Sequence, residues 1–322
     1  MIHHSKYDTQ KGVTRVTFNR KDLLGLRGVS AQEITSILDT AREMKQILLS
    51  DHKKTPHLQG KSIVTLFYEN STRTRMSFEL ASKYMSAASA NIAASSSSVQ
   101  KGETLIDTGV TLDQMGTDVI IIRHPMAGAP ALLAKHVKSS VINAGDGMNE
   151  HPTQALLDMF TMKQHKGKIE GLKVAIVGDI IHSRVARSNI FGLHTMGAEV
   201  ALCAPPTLMP TQIAELGVKT YTRIEEAIEG ADVVMNLRIQ KERQEEGNFP
   251  SLREYSAYFG LNERNLKYAK PDALIMHPGP MNRGVEITSD VADCDRSVIN
   301  EQVTSGVAVR MALLYLLTRK GV

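Results

Sequence analysis

The residues best suited to chemistry in this 322-residue chain are cations and hydroxyls gathered in short runs. Ser71-Thr72-Arg73-Thr74-Arg75 is the densest of them. Its hydroxyls donate single hydrogen bonds, and a guanidinium such as that of Arg73 offers a planar fork that matches two phosphate oxygens. The run stands where an apolar strand pattern, Ser62 to Tyr68, gives way to helical spacing. Unpaired N–H groups and the positive end of a helix would therefore add to it. The same residues also suit a helix cap followed by surface arginines, and the run alone leaves both readings open.

Arg123-His124-Pro125, His151-Pro152-Thr153-Gln154, Arg238-Ile239-Gln240-Lys241-Glu242-Arg243 and His277-Pro278-Gly279-Pro280 each follow a strand pattern as well. His151 alone could be a core histidine, but its place beside Pro152 and Gln154 at a helix start favours a ligand-facing role. Lys101-Gly102-Glu103 follows the serine-rich loop Ser95 to Ser98, where a lysine is ordinarily solvated. Arg184 opens a helix after Gly178, but Gly178 is the only glycine between 178 and 183. A dinucleotide fingerprint needs three, so a nicotinamide enzyme is disfavoured.

The elements that must carry these residues alternate. Ser30 to Leu49 has helical apolar spacing, and Ser30 with Glu33 forms a capping box. Helical spacing recurs at Thr72 to Met85, Pro130 to His136, His151 to Gln164, Arg184 to Thr195, Ile224 to Ile228 and Asn300 to Leu317. Strand patterns besides Ser62 to Tyr68 are Val119 to Ile122, Val141 to Asn143, Lys173 to Gly178, Glu199 to Cys203, Asp232 to Asn236 and Ala273 to Met276. Such alternation predicts an α/β protein with parallel sheets flanked by helices. Ligands bind beyond the carboxyl ends of strands in such sheets. Polar clusters at the same ends of two sheets predict an active-site cleft between two domains, with a boundary near Glu150.

Composition narrows the class. Apolar residues make up 42% and charged residues 22%, as in globular proteins, and the net charge of +4 is mild. With aromatics at 5% and no tryptophan, a stacking surface for nucleic acid is not expected, whereas small anionic substrates are. Cys203 and Cys294 lack metal-ligand spacing, so no metal and no disulfide framework is expected. Met1 to Gln10 is polar and no apolar run is long enough to span a bilayer, so a cytoplasmic location without membrane contact is expected.

Together the clusters resemble the aspartate and ornithine carbamoyltransferase family along essentially the whole chain. Ser71-Thr72-Arg73-Thr74-Arg75 matches its Ser-x-Arg-Thr-Arg phosphate motif, His151-Pro152-Thr153-Gln154 its His-Pro-x-Gln motif, and Arg123-His124-Pro125 its Arg-His-Pro element, in the family's order. Within the family the aspartate branch fits better. Lys101-Gly102-Glu103 is similar to that branch's swinging loop, and Arg238 to Arg243 to its aspartate loop. His277-Pro278-Gly279-Pro280 lacks the cysteine of the ornithine branch's His-Cys-Leu-Pro. Gly279 departs from the leucine of some aspartate enzymes.

The resemblance implies transfer of a carbamoyl group from carbamoyl phosphate to L-aspartate, early in pyrimidine synthesis, with no cofactor. Ser71, Thr72, Arg73 and Lys101, with Ser97, would hold the phosphate. Thr74, Arg123 and His151 would meet the carbamoyl oxygen. Gln154 and the backbone at Pro278, Gly279 and Pro280 would meet the amino group. Arg184 would take the α-carboxylate of aspartate, and Arg238, Gln240 and Lys101 its β-carboxylate. Catalytic roles would fall to Arg73, Thr74, Lys101, Arg123 and His151. Glu69 would bridge to Arg184 and Arg243 across closed domains, and Arg75 would be structural. The implied organisation is a carbamoyl-phosphate domain over 1–150, an aspartate domain over 151–299, and a helix over 300–322 returning to the first. The implied assembly is a homotrimer with Lys101 and Ser97 supplied by the neighbouring chain. A regulatory or pathway-enzyme partner is compatible with it.

Overall fold

Residues 18–93, 102–239 and 251–319 are described by the computed structural model. The first sheet consists of β1 (Ser62–Phe67), β2 (Ala88–Ala93), β3 (Val119–His124) and β4 (Ser140–Asp146). Their order is β2-β1-β3-β4, and every pairing is parallel. The second consists of β5 (Lys173–Val177), β6 (Glu199–Cys203), β7 (Lys219–Tyr221), β8 (Val233–Asn236) and β9 (Leu274–Met276), in the order β7-β6-β5-β8-β9, again wholly parallel. Central strands such as Ile120–Ile122 and Val174–Val177 are buried along their length, which is why they read as continuous apolar runs.

Helices α1 (Ala31–Leu49), α2 (Thr72–Tyr84), α3 (Leu105–Gln114) and α4 (Ala129–Ala134) accompany the first sheet. Helices α6 (Arg184–Thr195), α7 (Ile224–Ile228), α8 (Leu252–Phe259), α9 (Glu263–Leu266) and α10 (Ser289–Ala292) accompany the second. Between the two groups run α5 (Pro152–Lys166) and α11 (Ile299–Thr318), packed on each other. Helix α11 also packs on α1 and α2, and α5 on α6, so one apolar core continues from Ile63 and Ile121 of the first sheet to Val174 and Leu202 of the second. Every residue from Pro152 to Met162 is buried, as a helix covered on all sides requires.

The capping box at α1 forms: Ser30 Oγ accepts from the Glu33 amide at 3.3 Å, and Glu33 accepts from the Ser30 amide at 2.9 Å. Arg20 clamps the same carboxylate at 2.6 Å and holds its pKa down at about 2. Several boundaries differ from the sequence reading. Strand β4 extends through Ala144, Gly145 and Asp146, β1 stops at Phe67, and α4 runs from Ala129 to Ala134 rather than from Pro130 to His136. Helix α5 starts at Pro152, with His151 as the residue before it. Strand β2 was not anticipated. Its Ala-Ser-Ala-Asn sequence has little intrinsic strand preference, and pairing with β1 imposes the conformation. The loop at Ser95 to Ser98 lies outside the described residues.

Candidate active site

The carboxyl ends of β1, β3, β5, β8 and β9 and the start of α5 open into one cleft of about 650 Å³. Ser71, Thr72, Arg73, Thr74, Arg123, His151, Gln154, Arg184, Arg238, Gly279 and Pro280 all line it. Ser97, Lys101, Gln240 and Arg243 lie outside the described residues. Arg75 is not among the lining residues.

At the start of α2, Ser71 occupies the capping position, yet its side chain makes no capping hydrogen bond. The helix cap that competes with a ligand role is therefore not made. Ser71, Thr72, Arg73 and Thr74, the cap and first residues of a 13-residue helix, line the cleft instead. Thr74 is buried one turn in, and Arg73 is exposed at the mouth. Protein crowding one side of Arg73, together with the like charge of Arg238, lowers its pKa. Two cations held this close suit a ligand carrying more than one negative charge.

Glu69, at the end of the β1 turn, is the one carboxylate among the described lining residues. It accepts from Arg123 Nη2 at 2.6 Å and from Arg184 Nη2 and Nη1 at 2.7 and 3.1 Å. One acid from the first sheet thus grips an arginine of its own sheet and another from α6. The bridge to Arg184 matches the sequence expectation; the hold on Arg123 was not foreseen. Gly145 makes room for it. Its φ is +117°, and a Cβ there would sit 2.9 Å from Arg184 Cζ. Gly279 does the same for Arg73, with φ +66° and a Cβ position 3.3 Å from Arg73 Cζ. The departure at Gly279 is thus matched to a guanidinium close by.

His151 is buried before α5, where its own amide donates to Ser188 Oγ at 2.8 Å. Around Gly279 the loop is tied down by His277, whose Nδ1 accepts from the Gly279 amide at 2.8 Å. That leaves the ring proton on Nε2, 3.3 Å from the buried Glu286.

Sequence reasoning missed several lining residues, of which Ser77, Gln302 and Arg310 bear most on the chemistry. Arg310, deep in α11, donates to Ser77 Oγ at 2.8 Å and lies 5.0 Å over the Phe78 ring. Burial lowers its pKa to about 10 against the attraction of Asp158, and Arg123 adds repulsion. A lone arginine inside the apolar run of α11 was the available signal.

As a whole the cleft can bind a small polyanion beside hydrogen-bond donors fit to polarise a carbonyl. Among the described residues there is no cluster of metal-ligating side chains, and no helix is long and apolar enough to cross a membrane. Cys203 is buried and its thiol pushed up to about 12 by burial, and neither cysteine is in a disulfide.

Comparison with known proteins bears on this geometry. Residues 21–164 match the family model for the carbamoyl-phosphate-binding domain of aspartate/ornithine carbamoyltransferase, and residues 170–317 match that for its Asp/Orn-binding domain. An aspartate carbamoyltransferase catalytic subunit of Acetivibrio thermocellus is 70% identical over 300 residues, 93% of this chain and 96% of that one. Aspartate transcarbamoylase of Trypanosoma cruzi, solved with carbamoyl phosphate and aspartate, superposes with a TM-score of 0.83 at 30% identity, covering 91% of this chain and 95% of its own. Ornithine carbamoyltransferase of Pyrococcus furiosus gives 0.81 at 31% identity, covering 94% and 98%.

Proposed function

Since the chain belongs to the aspartate/ornithine carbamoyltransferase family, we infer that its cleft transfers the carbamoyl group of carbamoyl phosphate to L-aspartate, giving N-carbamoyl-L-aspartate and phosphate in pyrimidine biosynthesis. Likeness of fold does not separate the family's branches, because the aspartate and ornithine enzymes superpose equally well. The 70% identical relative speaks for aspartate. So does the cleft, where Arg184 and Arg238 favour an acceptor with two carboxylates and repel the cationic side chain of ornithine. The observation that carries the reading is the uncapped start of α2 facing those two arginines across one cleft.

Both substrates are anions, so the cleft first offsets their repulsion. Ser71, Thr72 and Arg73 hold the phosphate; Lys101 and Ser97 join them. Thr74, Arg123 and His151 converge on the carbamoyl oxygen and stabilise the oxyanion as the aspartate amine adds to the carbon. Gln154 and the backbone at Pro278, Gly279 and Pro280 hold the carbamoyl amino group. Arg184 takes the α-carboxylate, and Arg238, Gln240 and Lys101 the β-carboxylate. The new C–N bond forms, the C–O bond to phosphate breaks, and the leaving phosphate accepts the amine proton. The amine attacks directly, so no serine or cysteine nucleophile is needed. Positioning and preorganised donors supply most of the rate.

The proposal extends to organisation: a carbamoyl-phosphate domain (1–150), an aspartate domain (151–299), a returning helix (300–322), and a cytoplasmic homotrimer with Lys101 and Ser97 reaching the neighbour's cleft. Mixing Arg73→Ala with Lys101→Ala chains should restore activity in hybrid sites. No recovery in verified mixed trimers would mean self-contained sites. The reaction itself is tested by N-(phosphonacetyl)-L-aspartic acid, the compound bound in another Trypanosoma cruzi aspartate transcarbamoylase structure. It joins a phosphonate to aspartate, so it should bind once per chain, tighter than carbamoyl phosphate, and weaken with either Arg73→Ala or Arg184→Ala. Binding no tighter than aspartate alone would refute the shared cleft.

A further inference from the structure

We propose that Asp158 is a positioning residue for the carbamoyl amino group, turning the oxygen of Gln154 and the His277–Pro280 loop toward it; the assignment rests on the carbamoyl-transfer reading above. Asp158 lies one helical turn after Gln154 on α5 and is fully buried. Three carboxamides from three helices converge on its carboxylate. Gln154 Nε2 donates to Oδ1 at 3.0 Å, Gln302 Nε2 to Oδ1 at 2.7 Å, and Asn189 Nδ2 to Oδ2 at 2.9 Å.

An ionised carboxylate only accepts, so each amide must present its NH2 to Asp158 and its oxygen elsewhere. For Gln302 the outcome is visible. Its Oε1 accepts the backbone N–H of His277 at 3.0 Å, fixing the base of the loop that carries Pro278 and Gly279. Gln154 lines the cleft, so the end it turns there is Oε1, an acceptor. A carbamoyl NH2 has two protons to donate and no use for a second NH2 facing it. Reversing the Gln154 amide would set donor against donor. Asp158 thus decides the polarity of both groups assigned to the amino end of the substrate, although it is not itself a lining residue. Arg310, which attracts it, is the charged group favouring its ionised form.

The test is a double-mutant cycle between Asp158→Ser and Gln154→Ala, read as carbamoyl phosphate affinity by calorimetry and as kcat and KM for each substrate. Asp158→Ser should weaken carbamoyl phosphate binding about tenfold, the loss of one oriented hydrogen bond. In the Gln154→Ala background it should cost only about threefold, because one of the two groups it orients is already gone and only the Gln302 arm remains to be lost. Asp158→Asn keeps an oxygen for Gln154 and Gln302. Its NH2 is met by Asn189 Oδ1 once that amide turns over and gives up its hydrogen bond to the Val185 carbonyl, a loss that does not touch Gln154 or Gln302, so carbamoyl phosphate affinity should stay within about threefold of wild type. Equal losses in both backgrounds, or a tenfold loss in folded Asp158→Asn, would overturn the assignment. If Asp158→Ser does not fold, Gln302→Met removes the second arm, and unchanged carbamoyl phosphate affinity there overturns it instead. Wild-type turnover with aspartate is measured alongside. Its absence defeats the transfer reading, whereas its presence with no effect at Asp158 defeats only this inference.

Discussion

Removing the Glu69 carboxylate should loosen the two sides of the cleft from each other. Glu69 stands after β1, Arg184 begins α6, and three charged hydrogen bonds of 2.6, 2.7 and 3.1 Å tie Glu69 to Arg123 and Arg184. Breaking a fully buried pair costs about 3–5 kcal/mol. The Arg184 side chain is 5% exposed, but that of Glu69 is 26% exposed, and water there screens the interaction. A discounted figure of about 2 kcal/mol is appropriate, equivalent to roughly 30-fold in an equilibrium. Arg184 is also the residue assigned to aspartate's α-carboxylate, so the loss should appear on the acceptor side. We expect Glu69→Ala to lower kcat/KM for aspartate roughly 30-fold and Glu69→Gln, which keeps shape but not charge, by about tenfold. Carbamoyl phosphate affinity, measured by calorimetry, should change less. A Glu69→Ala enzyme within threefold of wild type for aspartate would refute a bridging role.

Arg73→Ala should cost about 100-fold or more in kcat/KM for carbamoyl phosphate. Because Arg73 is exposed, its thermal unfolding should be unaltered; a parallel loss of stability would point to a structural role instead. Gly279→Leu meets both a left-handed backbone, worth about 1–2 kcal/mol against a side chain, and the Arg73 guanidinium 3.3 Å from the new Cβ. It should lower carbamoyl phosphate affinity about tenfold, as calorimetry would show. Burial raises the Asp158 pKa from 3.8 to about 6, against the hydrogen bonds of Asn189, Gln302 and Gln154 and the charge of Arg310. The folded chain therefore binds the proton more tightly than the unfolded one. This carboxyl's contribution to stability falls by up to about 3 kcal/mol as pH rises from about 4 to about 6, then levels off. Urea unfolding of wild type and Asp158→Asn across that range should differ by this slope, and parallel curves would contradict it.

Most strands could be read from the sequence because they are buried on both faces and appear as apolar runs, as Val119–Ile122 and Val174–Val177 do. Strand β2 could not, since its alanines, serine and asparagine take their conformation from β1 rather than from their own preferences. At the site, the residue types in Ser71 to Arg75 fit a cap and a phosphate clamp equally. Only the absence of a capping bond at Ser71 separates them, and that is a matter of geometry. Glu69 holding two arginines, and Asp158 collecting amides from α5, α6 and α11, depend on contacts between residues as many as 144 positions apart. The Gln154–Asp158 spacing of one turn was the one local clue to that network.

The central claim is that this cleft moves a carbamoyl group onto aspartate. Incubating the protein with carbamoyl phosphate and either L-aspartate or L-ornithine, and quantifying ureido product and released phosphate, tests it most directly. We expect equimolar N-carbamoyl-L-aspartate and phosphate with aspartate and neither above background with ornithine. Citrulline from ornithine, or phosphate released without N-carbamoyl-L-aspartate, would contradict it.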